Sequence, residues 1–190
     1  NNGNISYITQ HSVPIDQFTY YSSGDQIDHP LSLAFDSNIY TFWASSTVVT
    51  ETTKSYITIN FTNYVCIEAI VYSPLYFTNR SVIPNTRRYD GYPLILNVYT
   101  SIDKDYFRLR YTFSSSPEPT DFWNYVQFVF SEPIWLIKLK LEFVEVTLNT
   151  FTGNDYKPAC FSLFFMMPEE EEEYISLTTN EATGKYSNSS

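Results

Sequence analysis

Glycine and histidine are both scarce in this chain, with five Gly and two His in 190 residues. So few glycines leave no phosphate-cradling loop and no Gly-x-Ser-x-Gly elbow. His11 and His29 are too few for a His-rich metal site or an easily built His-based triad, and no His-Glu-x-x-His occurs. Carboxylates are plentiful, but no Asp or Glu pair is singled out by a spacing that suits glycoside hydrolysis. The expectation is that the chain is not an enzyme by itself.

Basic charge is also short. The 11 Lys and Arg face 21 Asp and Glu, for a net charge of −10. Half of that charge lies from residue 168 onward, where six Glu stand against one Lys. The chain has no basic footprint for nucleic acid and none for docking on anionic lipid. No apolar run approaches the roughly 20 residues that cross a bilayer. The chain opens at Asn1 with no Met and no signal-like segment, which reads as a mature or excised fragment. Cysteine is limited to Cys66 and Cys160, which read equally as one disulfide or as two buried free thiols. Four N-x-Ser/Thr sequons, at Asn4, Asn60, Asn79 and Asn188, lean towards a secreted or cell-surface setting. Asn60 falls in a predicted strand, a poor place for a glycan.

Strand-forming residues are abundant. There are 17 Tyr and 15 Phe, and Thr and Val are frequent; such side chains suit a pleated, half-buried surface. No window reads as a long amphipathic helix. A weak strand is predicted over 5–9. Clear strands are predicted over 55–61, 65–76, 93–102, 106–113, 122–130, 134–146 and 160–167. In the 134–146 run, Trp135, Ile137, Leu139, Leu141 and Phe143 share one face, and Lys138, Lys140 and Glu142 share the other. Period two with one wet face is the pattern of an antiparallel sheet packed on one side. Seven or eight such strands predict an all-β antiparallel β-sandwich over residues 1–167, followed by an acidic, then Ser/Thr/Asn-rich tail over 168–190. The long loops fall at 78–92, 114–121 and 147–158, and their apices read as Arg, Asn, Ser and Pro.

The stretch Leu33-Ala34-Phe35-Asp36-Ser37-Asn38-Ile39-Tyr40-Thr41-Phe42-Trp43 carries the most specific pattern. It resembles the Ala-x-Asp-Gly-Asn-x-x-Thr-x-Trp signature of discoidin domains, the coagulation factor V/VIII C domains, with Ser37 where Gly is usual. The family 32 carbohydrate-binding modules share that fold. Tyr56-Ile57-Thr58-Ile59-Asn60-Phe61, Val65-Cys66-Ile67-Glu68-Ala69-Ile70 and Ile134-Trp135-Leu136-Ile137-Lys138-Leu139 fit the order of the family's later strands. The resemblance implies a galactose-binding-domain-like jelly roll spanning about residues 5–167.

Two sites are expected. Asp36, Asn38 and Thr41 are spaced so that a tight turn aims their oxygens inward; that arrangement suits either Ca²⁺ or a hydrogen-bonded Asx-type turn with no ion. The resemblance implies a structural calcium there, partly through backbone carbonyls, although the closing strand supplies no acid. Trp43 reads as a core residue behind the turn. Sugar recognition needs an aromatic face for C–H groups and planar polar groups for hydroxyls. Tyr76, Arg80, Arg87, Arg88 and Tyr89 cluster around the 78–92 loop, and Trp123 follows the Ser/Pro-rich loop, so these six are the candidate ligand residues. Ordinary surface salt-bridging for the Arg pair and core packing for Trp123 stand as the alternatives. The resemblance therefore implies a non-catalytic, monomeric module that binds a glycan or glycoprotein on a cell or matrix surface. A protein-interaction or structural module without a sugar site is the other option, as is a targeting arm of a larger extracellular hydrolase.

Overall fold

The backbone follows the strand-forming residues. The computed structural model describes residues 5–79, 86–103, 105–115 and 125–169, with the backbone alone for 76–79 and 86–88. A short helix α1 (Ile5–His11) leads into β1 (Phe18–Ser22), β2 (Trp43–Ala44), β3 (Ser55–Ser73), β4 (Leu75–Asn79) and β5 (Thr86–Asp90). These are followed by β6 (Pro93–Ser101), β7 (Arg108–Ser114), β8 (Val126–Val146), β9 (Ala159–Cys160) and β10 (Ser162–Met166).

Two pairs of predicted strands are each one continuous strand. β3 joins the 55–61 run to residues 65–73 of the 65–76 run through a register shift between Asn60 and Val65 in its pairing with β8; that second run breaks at Pro74, and its last two residues open β4. β8 joins residues 126–130 of the 122–130 run, whose first three residues lie outside the described ones, to the 134–146 run, and Pro133 falls where the ladder shifts again, between the Ile67 and Ala69 partners. A bulge is where a strand tolerates proline, because no ladder hydrogen bond is lost there.

Those shifts let each long strand serve two layers. The first half of β3 pairs antiparallel with β1, and its second half pairs with β10. The second half of β8 pairs with β6, which pairs with β7. One layer is therefore β1–β3–β8–β6–β7, and the other is β10–β3–β8. Their inner faces share one core. Ile57, Ile59, Leu139, Leu141 and Phe143 come from the first layer; Ile70, Tyr72, Phe128 and Phe165 come from the second. Rings meet across it edge-on, with Phe61 and Phe165 centroids 5.8 Å apart and Phe18 and Phe165 5.5 Å apart. Full burial of each such side chain stabilises the fold by about 1.5–3 kcal/mol before entropy is counted.

The segment expected as a strand over 5–9 is helical instead. Ile8 at its centre is buried against Ala69, Val71 and Met166, on the outer side of the three-stranded layer. One apolar anchor per turn needs helical spacing, and Tyr7 and His11, four residues apart, bring their rings within 4.3 Å. β1 was not expected at all, and the predicted 78–92 loop holds the end of β4 and all of β5, which pair as a hairpin whose base joins Leu75 to Asp90.

Cys66 and Cys160 are free thiols, the first half-buried and the second fully buried. Burial pushes the Cys160 thiol pKa far above its ordinary value. Asn60 lies inside the ladder between Thr19 and Lys138, with its side-chain oxygen buried.

Candidate functional site at the rim of the sandwich

The signature turn sits at one end of the stack. A 3-10 turn (Leu31–Phe35) buries Leu31, Ala34 and Phe35, and the chain then reverses to enter β2. Ser37, which stands where the resemblance has Gly, has φ 59°. Glycine adopts that left-handed region freely, whereas another L-residue gives up about 1–2 kcal/mol there. Asp36, Asn38 and Thr41 do come together. Asp36 Oδ1 accepts the Asn38 N–H at 3.0 Å, and its Oδ2 accepts the Thr41 hydroxyl at 2.6 Å. Asn38 Oδ1 accepts the Tyr40 N–H at 2.9 Å.

This donor set closes on itself. Ca²⁺ takes about six to eight oxygens. The turn offers one carboxylate, and both of its oxygens already accept hydrogen bonds. Among the described residues no three His, Cys, Asp or Glu side chains gather into a cation site. The side chains present fit an Asx-type turn, and a calcium ion there would need backbone carbonyls for most of its ligands.

Trp43 is 0% exposed, and its indole N–H donates to Asp25 Oδ1 at 2.9 Å. Asp25 also accepts the Ser22 hydroxyl on Oδ1 and the Leu31 N–H on Oδ2 at 3.1 Å. One exposed carboxylate thereby ties β1, the 3-10 turn and β2 together. The sequence marks Asp25 only as part of a Ser-Ser-Gly-Asp loop signal.

Beyond the turn, β2 pairs with β9, with Trp43 opposite Cys160 and Ala44 opposite Ala159. Ala44 and Ala159 pack with Leu75, so the β4–β5 hairpin rises from the same rim. Gly91 follows the hairpin at φ 62°, and its carbonyl accepts the Ala159 N–H at 3.0 Å. The buried Asp90 accepts the Thr150 N–H at 2.8 Å and its hydroxyl at 2.6 Å, which fixes the 147–158 loop to the hairpin base. Three loops therefore converge at this end.

An aromatic cluster lines their meeting point. The His29 ring stacks on Phe42 with centroids 4.0 Å apart and planes 15° from parallel. Phe42 meets Phe151 and Phe161 edge-on, at 5.9 and 6.2 Å. Phe151 is 48% exposed, so the cluster reaches solvent. Gln26 and Lys157 lie on the same rim, with the ammonium 3.4 Å from the Gln26 side-chain oxygen and 3.6 Å from Asp155 Oδ2. Apolar faces beside amide, imidazole and ammonium groups are a chemistry suited to sugar rings. Outside the three long loops, Ile27 is 91% exposed and Tyr40 85% exposed at turns of this rim.

Of the six expected ligand residues, Tyr89 is corrected. It is 2% exposed, with its ring centroid 4.8 Å from that of Tyr92 in the core, because alternation along β5 turns it inward. Arg80 and Trp123 lie outside the described residues, as do the side chains of Tyr76, Arg87 and Arg88. The backbones of those last three belong to the β4–β5 hairpin, where Tyr76 pairs with Tyr89 and Arg87 with Thr78.

No family model matches the chain, and no curated protein matches it. Solved structures do. The CBM32-1, CBM32-2 and M60 catalytic domains of Clostridium perfringens ZmpB match with TM-score 0.67 and 19% identity over 92% of this chain, which spans 16% of that one. The family 32 module of C. perfringens NanJ in complex with galactose matches with TM-score 0.59 and 16% identity, covering 82% of this chain and 97% of that one. The CBM32-5 module of C. perfringens GH89, in complex with GalNAc-β-1,3-galactose, matches with TM-score 0.59 and 15% identity over 82% of this chain and 99% of that one. Likeness at such low identity speaks to architecture, and on that ground this chain is an all-β antiparallel sandwich with the galactose-binding-like fold seen in family 32 carbohydrate-binding modules.

Proposed function

We propose that the chain is a non-catalytic glycan-binding module of a secreted or cell-surface protein, holding a neutral sugar at the rim formed by His29, Phe42, Phe151 and the β4–β5 hairpin. The observation that carries this reading is the solvent-reaching aromatic cluster, placed where three loops meet on a rigid frame. The likeness to modules solved with galactose and GalNAc-β-1,3-galactose supports it. A targeting arm of a larger extracellular hydrolase is the natural context, given the catalytic domain beside the ZmpB modules. The module is monomeric in this reading. Single-site affinity is weak, because the contact is small and the loops are solvated.

A glycan array followed by isothermal titration tests the proposal. A galactose- or N-acetylgalactosamine-terminated glycan is expected to bind, and Phe151→Ala is expected to weaken it about tenfold. Silence across neutral sugars, or binding indifferent to Phe151→Ala and His29→Ala, overturns it. A second reading, a protein-interaction module, is favoured by the exposed Ile27 and Tyr40 on the same rim. Co-purification of a protein partner that is lost on Tyr40→Ser, with no sugar binding, selects that reading.

A further inference from the structure

The alternation that sends Leu139, Leu141 and Phe143 into the core sends Lys138, Lys140 and Glu142 onto the outer face of the five-stranded layer. There Lys140 is held by rings from three separate segments. Its ammonium lies 5.1 Å from the Tyr56 centroid, 5.2 Å from Tyr99 and 5.6 Å from Phe107. Lys138 reaches the same Phe107 ring at 5.9 Å. Among the described residues neither lysine has a carboxylate within ion-pair distance. Three rings fix the position of a charge without neutralising it.

Next along the face, the carboxylate is ordered instead. Glu142 Oε1 accepts Asn97 Nδ2–H at 3.0 Å and the Tyr99 hydroxyl at 3.2 Å, and Asn97 in turn accepts the Thr112 hydroxyl at 2.7 Å. Beyond it, the same face opens into a groove of about 500 Å³ whose lining includes Lys54, Ile95, Val144 and Tyr156 together with the carboxylates Glu51 and Glu145. From Lys138 to Val144 the strip runs about 20 Å along β8, the length of a chain rather than of one ring.

The geometry points to this outer face as a second carbohydrate surface, separate from the rim, whose ligand is a glycan chain alternating a hexuronate with a neutral sugar. The uronate carboxylate docks on Lys140 and Lys138, which among the described residues carry no ion pair, in a protein with net charge −10. The C–H faces of the rings lie on Tyr56 and Tyr99. Hydroxyls of the neutral neighbour donate to Glu142, which would repel a second carboxylate placed there, so the order of charge along the strip selects an alternating chain.

The test is isothermal titration of the full chain with a hexasaccharide of alternating glucuronate and N-acetylglucosamine. The carboxyl-reduced hexasaccharide and sialyl-lactose serve as comparisons. The intact hexasaccharide is expected to bind and to weaken with salt. Lys140→Gln lowers its affinity about tenfold or more, while Lys140→Arg retains it. Lys138→Gln gives the same direction of change without disturbing the three-ring cage, which guards against a folding defect in Lys140→Gln. A saturating galactoside does not displace the chain. No binding, equal binding of the reduced hexasaccharide, indifference to both lysine variants, preference for sialyl-lactose, or displacement by galactoside each overturns the proposal. Displacement or its absence also keeps this result apart from the fate of the rim reading.

Discussion

Replacing Gly91 with alanine tests whether the rim is built as described. Gly91 has φ 62°, and a Cβ there would lie 2.5 Å from the Lys157 carbonyl oxygen and 2.8 Å from the Ala159 nitrogen. Both are backbone atoms, so no rotamer change relieves the clash. The left-handed backbone alone costs about 1–2 kcal/mol for a residue with Cβ. Overpacking against fixed neighbours adds about 1–3 kcal/mol. A total near 3–4 kcal/mol follows, a large share of a small domain's stability. Gly153 provides the control: its φ is 120°, but nothing lies within 4 Å of a Cβ placed on it. Gly153→Ala therefore carries the backbone cost without the steric one, and the two variants differ by about 2 kcal/mol. Urea unfolding followed by tryptophan fluorescence reads both, with midpoints shifting and the slope m unchanged. Trp43 faces Cys160 across the β2–β9 pair, so the probe sits beside the perturbation. Equal midpoints for the two variants, or no shift for Gly91→Ala, refute the close approach of the hairpin base to β9.

The two thiols are expected to differ in reactivity. At pH 8 a thiol reagent labels the half-exposed Cys66 slowly, since burial and then Glu68 raise its pKa, and labels Cys160 only after unfolding in urea; one fast equivalent from each in the native protein contradicts the burial. Calcium is expected to leave stability alone: millimolar Ca²⁺ or a chelator shifts the thermal midpoint by less than about 1 °C, because a ligand stabilises only through a site it binds. A clear upward shift with Ca²⁺, abolished in Asp36→Asn, contradicts the self-closed turn. The rim variants and the outer-face lysine variants proposed above complete the set.

Much of the architecture is legible in the sequence because period two is enforced wherever one face is buried. The 134–146 run has Leu139, Leu141 and Phe143 in the core, as its alternation requires, but Trp135, expected on that face, is 64% exposed and Leu136 is buried in its stead, because the ladder shifts register between Leu136 and Lys138. The Ala34-to-Trp43 signature also reads through, since Trp43 and Ala34 are buried by packing that any occupant of this turn must satisfy. Joined strands do not read through: Thr62-Asn63-Tyr64 looks like a turn, yet the ladder absorbs it as a bulge. The helix α1 escapes because its seven residues carry only one buried anchor, Ile8, too little for a periodic signal. β5 escapes because Arg87 and Arg88 read as loop, and whether β5 pairs is decided by β4, not by its own composition. The rim is half legible. Phe42 and His29 stand 13 residues apart, and Phe151 lies more than a hundred residues further on, so their stacking is a product of topology. Asp25 is similar, because nothing local to it announces the indole it receives.

The sharing of β3 and β8 between both layers has a consequence during synthesis. Neither layer is complete until β8 exists, because β8 is the neighbour of β3 along both halves of that strand. β3 ends at Ser73 and β8 ends at Val146. At roughly 10 residues per second, the nascent chain therefore carries a long apolar strand with open edges for several seconds. Closing contacts that far apart makes folding slow compared with a helical protein of the same size. Any fragment that stops short of Val146 is expected to need a chaperone rather than to fold by halves.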